Sequence, residues 1–140
     1  MIATDTSFST ALLETAPNRP PVSKYTSMNG LVYLGAGALL MVWPGAVQTL
    51  LFDAPFAGHE EGLFRALGMA VAVIGWLYLF GGRSGGRQFA ACTVLDRWIL
   101  VPLVCIPLSI AGVFPHTFLA FAFLDVALAV GTWVIRKRAR

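Results

Sequence analysis

Four long apolar stretches, separated by short polar loops, occupy nearly all of residues 28–135. Each stretch is long enough, or nearly so, to cross the hydrocarbon core of a bilayer, which is ~30 Å thick and takes roughly 20 apolar helical residues. Of the 140 residues, 57% are hydrophobic and only 12% are charged, so water is not the main surrounding of this chain. The predicted fold class is therefore all-α, an integral membrane four-helix bundle.

The chain divides into three predicted parts. The N-terminal part is rich in Ser, Thr and Pro, which indicates a flexible arm, and the last residues are basic. The three parts are the arm (residues 1–27), the four-helix domain (residues 28–135) and a basic cytoplasmic tail (residues 136–140). Within the domain, the second, third and fourth spans are predicted at about residues 63–80, 88–113 and 117–135.

The first span has two candidate frames, which differ in how they treat Pro44. In the preferred frame the helix runs over residues 29–52 and kinks at Pro44, which has no N–H to donate. In the other frame it begins at Tyr25 and ends at Trp43, and residues 46–52 form an interfacial helix. The sequence does not decide between them.

The clusters of basic residues lie on one side of the predicted topology, and the other two loops hold one arginine, Arg65. Arg19 and Lys24 precede the first span, Arg83 and Arg87 lie between the second and third, and four more basic residues close the chain. Because cytoplasmic loops carry an excess of Lys and Arg, both termini are predicted to be cytoplasmic, in a bacterial inner membrane. The basic residues cluster at the ends of spans and form no stripe, so the formal charge of +3 indicates a lipid bilayer as surrounding and no nucleic acid partner.

Two charged residues are predicted inside the membrane. Arg97 lies ~13 Å deep on the third span and Asp125 ~16 Å deep on the fourth, at 1.5 Å per helical residue, so an ion pair between them is expected. The pair has two interpretations. It either locks the two spans together, or it lines a polar pocket that binds a proton, an ion or a ligand head group. Candidate lining residues of that pocket are Asp96, Thr93, Trp98, Trp76 and Thr132.

Small residues on the second and fourth spans predict close helix packing, because they let two backbones approach. This packing is expected either within the chain or between protomers. The residues are Gly68, Ala72 and Gly75 on the second span and Ala122 and Ala129 on the fourth.

The sequence nominates no catalytic residue, no cofactor and no metal site. The two cysteines, Cys92 and Cys105, stand in no redox or haem motif and are interpreted as small apolar residues. His59 and His116 are expected to face the same compartment as three loop carboxylates, which are zinc or copper ligand types. Their spacing matches no ligand motif, so they are only weak metal candidates.

Part of the second span resembles a known group. Residues 64–68 (Phe-Arg-Ala-Leu-Gly), residues 75–79 (Gly-Trp-Leu-Tyr-Leu) and Arg83 resemble the second span of small bacterial four-span proteins of the DoxX-like group. The resemblance covers the four-span layout and this short pattern. It implies a membrane-embedded accessory role, sometimes near quinone or thiol redox systems, and it carries over no catalytic residue.

These observations give three functional hypotheses. The first is a non-catalytic accessory or structural subunit that docks on a larger membrane complex through partner subunits or self-associates as a homo-oligomer. The second is a small transporter or channel with a polar pocket at Arg97 and Asp125. The third is a binder or isomerase of a hydrophobic small molecule such as a lipid, a sterol or a quinone.

Overall fold

The computed structural model describes residues 8–138, and these residues form helices and short connections with no strand among them. The helices are α1 (Phe8–Leu13), α2 (Pro21–Val42), α3 (Pro44–Leu50), α4 (Glu60–Arg83), α5 (Arg87–Leu95), the π-helical turn Asp96–Leu100, α6 (Val101–Ile110) and α7 (Pro115–Arg138). Four segments are long and apolar enough to cross a membrane: α2, α4, the continuous stretch from α5 to α6, and α7. The predicted all-helical class with four candidate spans is confirmed.

The first span ends at a sharp break. Trp43 leaves the helical region, with φ −139° and ψ 60°, between the end of α2 and the start of α3. Pro44 disfavours a helical conformation at the residue before it and offers no N–H to the preceding turn. The preferred frame, a kinked helix over residues 29–52, is therefore wrong. The shorter frame is nearer to the structure, since α3 is a separate short helix.

The N-terminal segment contacts the loop between α4 and α5. Because α2 begins at Pro21, residues 21–27 belong to the helix and not to the predicted arm. Further toward the N-terminus, Nε of Arg83 donates a hydrogen bond to Oγ1 of Thr15 at 3.0 Å. The backbone N–H of Ala16 donates to the carbonyl of Arg83 at 3.1 Å. These bonds hold the segment before α2 against the end of the bundle.

The helices α2 and α4 approach each other through glycines. A β-carbon added at Gly37 would lie 2.6 Å from the carbonyl oxygen of Gly68, and one added at Gly30 would lie 2.6 Å from that of Gly75. Only glycine fits such backbone-to-backbone contact. The two glycines of each helix are seven residues apart, so the contact repeats after two helical turns. Gly68 and Gly75 are thus used within the chain, and Ala72 packs beside them against Gly37.

The fourth span, α7, packs against the third span and against α2. Its small residues Ala122 and Ala129 are 5% and 0% exposed, which places this face inside the bundle. Gly131, two residues further on, lies against the hydroxyl of Tyr25 on α2. The small residues of both spans therefore form contacts within the chain.

The bundle has two chemically different ends. One, the basic end, brings together Arg19, Arg87 and Arg136 from three separate segments. The other, the loop end, contains α3 and the loop before α4. There Nη1 of Arg65 donates to the carbonyl of Met41 at 2.7 Å and so caps the last turn of α2. A cation at this end of the bundle is explained by that cap.

A buried carboxylate at the loop end caps α7. Asp53 accepts hydrogen bonds from the backbone N–H groups of His116 at 3.0 Å and Thr117 at 2.8 Å, and its Oδ1 lies 3.0 Å from Nδ1 of His116. Pro115 occupies the first helical position, where its missing N–H is not needed. Burial of the Asp53 carboxyl raises its pKa, but the hydrogen bonds from Thr117 and His116 outweigh burial and hold the pKa below its ordinary value.

This cap gives a stability prediction. Because the folded-state pKa of Asp53 is lowered, its contribution is fully present above the ordinary carboxyl pKa and is lost as the pH falls through the folded value. Asp53→Asn is expected to lower the free energy of unfolding by about 1–2 kcal/mol at pH 7. Thermal unfolding between pH 3 and pH 7 measures this effect. The difference in stability between Asp53→Asn and the wild type is expected to become smaller as the pH falls.

The matched control is Glu61→Gln at the same end of the bundle. Glu61 pairs with Arg65 at 2.8 Å, but both side chains are about half exposed. Such a pair contributes little to stability, so the free energy of unfolding of the control is expected to stay within about 0.5 kcal/mol of that of the wild type. An equal loss in both variants would contradict the role assigned to Asp53.

Candidate functional site

A stripe of polar side chains runs along the inner face of α2. Ser23, Thr26, Asn29 and Tyr33 are all between 0% and 4% exposed, and their spacing of three and four residues places them on one side of the helix. The hydroxyl of Thr26 donates a hydrogen bond to the carbonyl of Val22 at 3.0 Å. The other three each carry a buried polar atom without a hydrogen-bond partner among the described residues. This stripe was not predicted from the sequence.

The third span widens directly before Pro102. This proline has no N–H to donate to the carbonyl one turn earlier, and the chain forms the π-helical turn Asp96–Leu100 at that point. The wider turn places Arg97 inside the bundle, where it is 1% exposed, while the adjacent Trp98 is 53% exposed on the outside.

Two tyrosine rings enclose the guanidinium of Arg97. Its central carbon lies 4.5 Å from the ring centroid of Tyr78 and 5.4 Å from that of Tyr33. The two rings meet edge to face at 5.4 Å, and the Tyr78 hydroxyl donates to Oδ2 of Asp96 at 2.9 Å. Cation–π contact of this kind stabilises a desolvated cation by about 2 kcal/mol. It leaves the hydrogen-bonding capacity of the cation unused, and none of the three Arg97 nitrogens has a partner among the described residues.

Asp125 lies inside the bundle but does not pair with Arg97. It is 3% exposed, and its Oδ1 has no hydrogen-bond partner in the described part of the chain. Within residues 8–138 the ion pairs are Arg65 with Glu61 and Asp53 with His116, so the predicted pair of Arg97 and Asp125 is wrong. The π-helical turn and the tyrosines decide where the guanidinium points.

The remaining predicted lining residues divide into an inner and an outer group. Thr93 and Thr132 are buried, and each hydroxyl donates to a carbonyl of its own helix, at 2.9 Å and 3.0 Å. Asp96 is held by Tyr78. Trp76 and Trp98 lie on the outer surface at 48% and 53% exposure, so neither lines the interior.

Hydrogen-bond donors therefore outnumber acceptors among the buried side-chain atoms that have no partner in the described part of the chain. The buried atoms without partners among the described residues include Nδ2 of Asn29, the Tyr33 hydroxyl and all three Arg97 nitrogens, with Oδ1 of Asp125 as an acceptor. Leaving such groups unsatisfied costs about 1–3 kcal/mol each and more for a charged group. The interior polar site below means Arg97, the Tyr33 ring that it contacts, Asn29 one turn before Tyr33 on α2, and the buried Asp125 on α7.

The predicted metal candidates do not converge. His116 contacts Asp53 at 3.0 Å, and its ring is held by the cap of α7, while His59 is exposed before α4. Among residues 8–138 no group of three His, Cys, Asp or Glu side chains is placed to hold a metal ion. Both cysteines are free thiols, Cys92 exposed and Cys105 buried.

No protein-family model, no curated protein and no solved structure matches this chain. The resemblance of the second span to the DoxX-like group therefore stays a prediction.

Proposed function

We propose that this chain is a multi-pass protein of a bacterial inner membrane, with both termini cytoplasmic, that binds and carries a small carboxylate-bearing molecule at the interior polar site. The observation that carries the proposal is the fully buried guanidinium of Arg97, whose nitrogens have no hydrogen-bond partner among the described residues. Four apolar helices of 22 to 24 residues support membrane insertion.

A carboxylate matches the chemistry of this site. The guanidinium presents its N–H groups in a planar fork, which binds a carboxylate through two parallel hydrogen bonds. The amide of Asn29 and the hydroxyl of Tyr33, one turn apart on α2, add neutral donors. A guanidinium kept only to join helices would be expected to pair with a carboxylate of the protein, and Asp125 is inside the same bundle without doing so.

The site is closed in this structure, as expected for a carrier between its two open forms. A cavity at the basic end reaches Val22, Ala90 and Thr132. One turn deeper on the same three helices, the small side chains of Thr26, Thr93 and Ala129 are buried at 0% to 4% exposure. Arg97 lies about 10 Å beyond Ala90 along its helix. A thin layer of small residues thus separates the cavity from the interior polar site.

The accessory-subunit hypothesis drew on small-residue faces, short loops and an N-terminal arm. The small residues were expected to pack either within the chain or between protomers, and Gly68, Gly75, Ala122 and Ala129 are buried within this chain. Docking on a larger complex or self-association stays a proposal without an observation of its own. The interior polar site favours the carrier.

The proposal is tested by uptake into proteoliposomes. We expect labelled acetate, lactate or succinate to accumulate faster than in protein-free liposomes, and Arg97→Met to lower that rate at least tenfold, because a charge-assisted hydrogen bond contributes about 1.5–3 kcal/mol. Arg97→Lys keeps the charge without the fork and is expected to retain part of the rate. Arg65→Met, which removes an arginine at the loop end, is the matched control. Equal uptake by wild type and Arg97→Met would contradict the proposal.

A further inference from the structure

The cavity at the basic end has three arginines in its wall. It measures about 650 Å³ and is lined by Arg19 from the segment before α2, Arg87 from the start of α5 and Arg136 near the end of α7. The chain thus brings cations from three distant positions to one concavity. Val22, Ala90 and other small or apolar side chains line its inner part.

Two other basic residues at the same end have protein partners. Arg83 donates to Thr15, and the Lys137 ammonium lies 3.8 Å from the ring centroid of Trp133. Arg19, Arg87 and Arg136 have no ion pair and no side-chain hydrogen bond to any other described residue. The cavity therefore brings together three cations that are not engaged by the described chain.

We propose that this cavity binds a phosphate group, either on the head of an anionic phospholipid or as free phosphate. A phosphate presents several acceptor oxygens in tetrahedral directions, which suits guanidinium groups arriving from three sides. A volume of about 650 Å³ exceeds that of a single phosphate ion and leaves room for a head group. Basic pockets between helices at this level of a membrane are suited to lipid head groups.

The inference uses only the membrane insertion of the proposed function and is independent of carriage. The cavity and Arg97 are separated by the buried layer of Thr26, Thr93 and Ala129. Arg97→Met is therefore expected to leave phosphate binding at the cavity unchanged. If carboxylate uptake fails while the cavity binds phosphate, only the carrier proposal is contradicted. If uptake occurs but the cavity binds no phosphate, only this inference is contradicted.

The test compares two triple variants in nanodiscs. The first, Arg19→Gln with Arg87→Gln and Arg136→Gln, removes the cavity arginines. The second, Lys24→Gln with Lys137→Gln and Arg138→Gln, removes the same charge from exposed residues at the same end that do not line the cavity. Each protein is placed in phosphatidylcholine discs containing phosphatidylglycerol, and native mass spectrometry counts the phosphatidylglycerol retained. In discs of phosphatidylcholine alone, calorimetry measures the binding of inorganic phosphate.

We expect wild type and the second triple variant to bind alike and the first to lose at least tenfold in affinity, since each basic residue near an anionic surface contributes about fivefold and three cavity arginines are removed. If the first triple variant retains less phosphatidylglycerol, the site is assigned to a lipid head group. If it binds less inorganic phosphate, the site is assigned to free phosphate. Equal losses in both triple variants would reveal general attraction to a basic surface and would overturn the inference. So would the absence of any arginine-dependent binding in both kinds of disc. Equal thermal unfolding of the three proteins verifies that all are folded.

Discussion

Replacing Gly37 by Val is expected to separate α2 from α4 and to prevent the chain from reaching its native bundle. The β-carbon of the new side chain would lie 2.6 Å from the carbonyl oxygen of Gly68, which belongs to the backbone and cannot rotate away. Overpacking of side chains costs about 1–3 kcal/mol, and backbone atoms yield less readily, so a loss of at least about 3 kcal/mol is expected. Yield of monodisperse protein and thermal unfolding in detergent measure the loss.

Gly35→Val supplies the matched control, since it makes the same change two residues earlier on the same helix. A β-carbon at Gly35 would meet nothing within 4 Å, and the residue lies on the exposed side of α2. We expect Gly35→Val to fold and unfold like the wild type. Normal folding of Gly37→Val, or equal damage by both changes, would contradict the α2–α4 contact described above.

Replacing Arg97 by Met is expected to leave the bundle as stable as the wild type or to make it more stable. Burying a charge without a hydrogen-bonded partner costs several kcal/mol, and its removal offsets the lost cation–π contacts of about 2 kcal/mol. Asp125→Asn is expected to behave in the same way. Because the two side chains form no ion pair, their effects on the free energy of unfolding should add to within about 0.5 kcal/mol.

An ion pair that locks the third and fourth spans together gives the opposite pattern. Each single substitution would then leave a buried charge without its partner and lower stability by 3–5 kcal/mol, and the double substitution would cost no more than one of them. Unfolding of the four proteins in the double-mutant cycle distinguishes the two cases. A coupling above about 1 kcal/mol would contradict the arrangement of Arg97 between the tyrosines.

The sequence predicted the fold class and the burial of Arg97 and Asp125 for simple physical reasons. Apolar length determines whether a segment can span a membrane, and small residues at helical spacing indicate the packed faces of α4 and α7. Charges within an apolar stretch are expected to face inward, as both residues do. These inferences depend only on spacing along one helix.

The contacts of the site could not be predicted in the same way, because they depend on rotation between helices. The π-helical turn before Pro102 places Arg97 against Tyr33 and Tyr78, whereas depth alone suggested Asp125. The polar stripe of α2 was readable from its spacing of three and four residues, since Asn29 and Tyr33 interrupt an apolar helix. It was missed because serine, threonine and tyrosine also occur in ordinary spans.

The central claim is that the interior polar site accepts a carboxylate at Arg97. The most direct measurement is equilibrium binding of labelled acetate, lactate and succinate to wild type and Arg97→Met in phosphatidylcholine nanodiscs, with Arg65→Met as control. Saturable binding of at least one of them, with one molecule per chain, is expected in the wild type and the control, and a loss of at least tenfold is expected in Arg97→Met. Binding that is equal in all three proteins, or absent from the wild type, would contradict it.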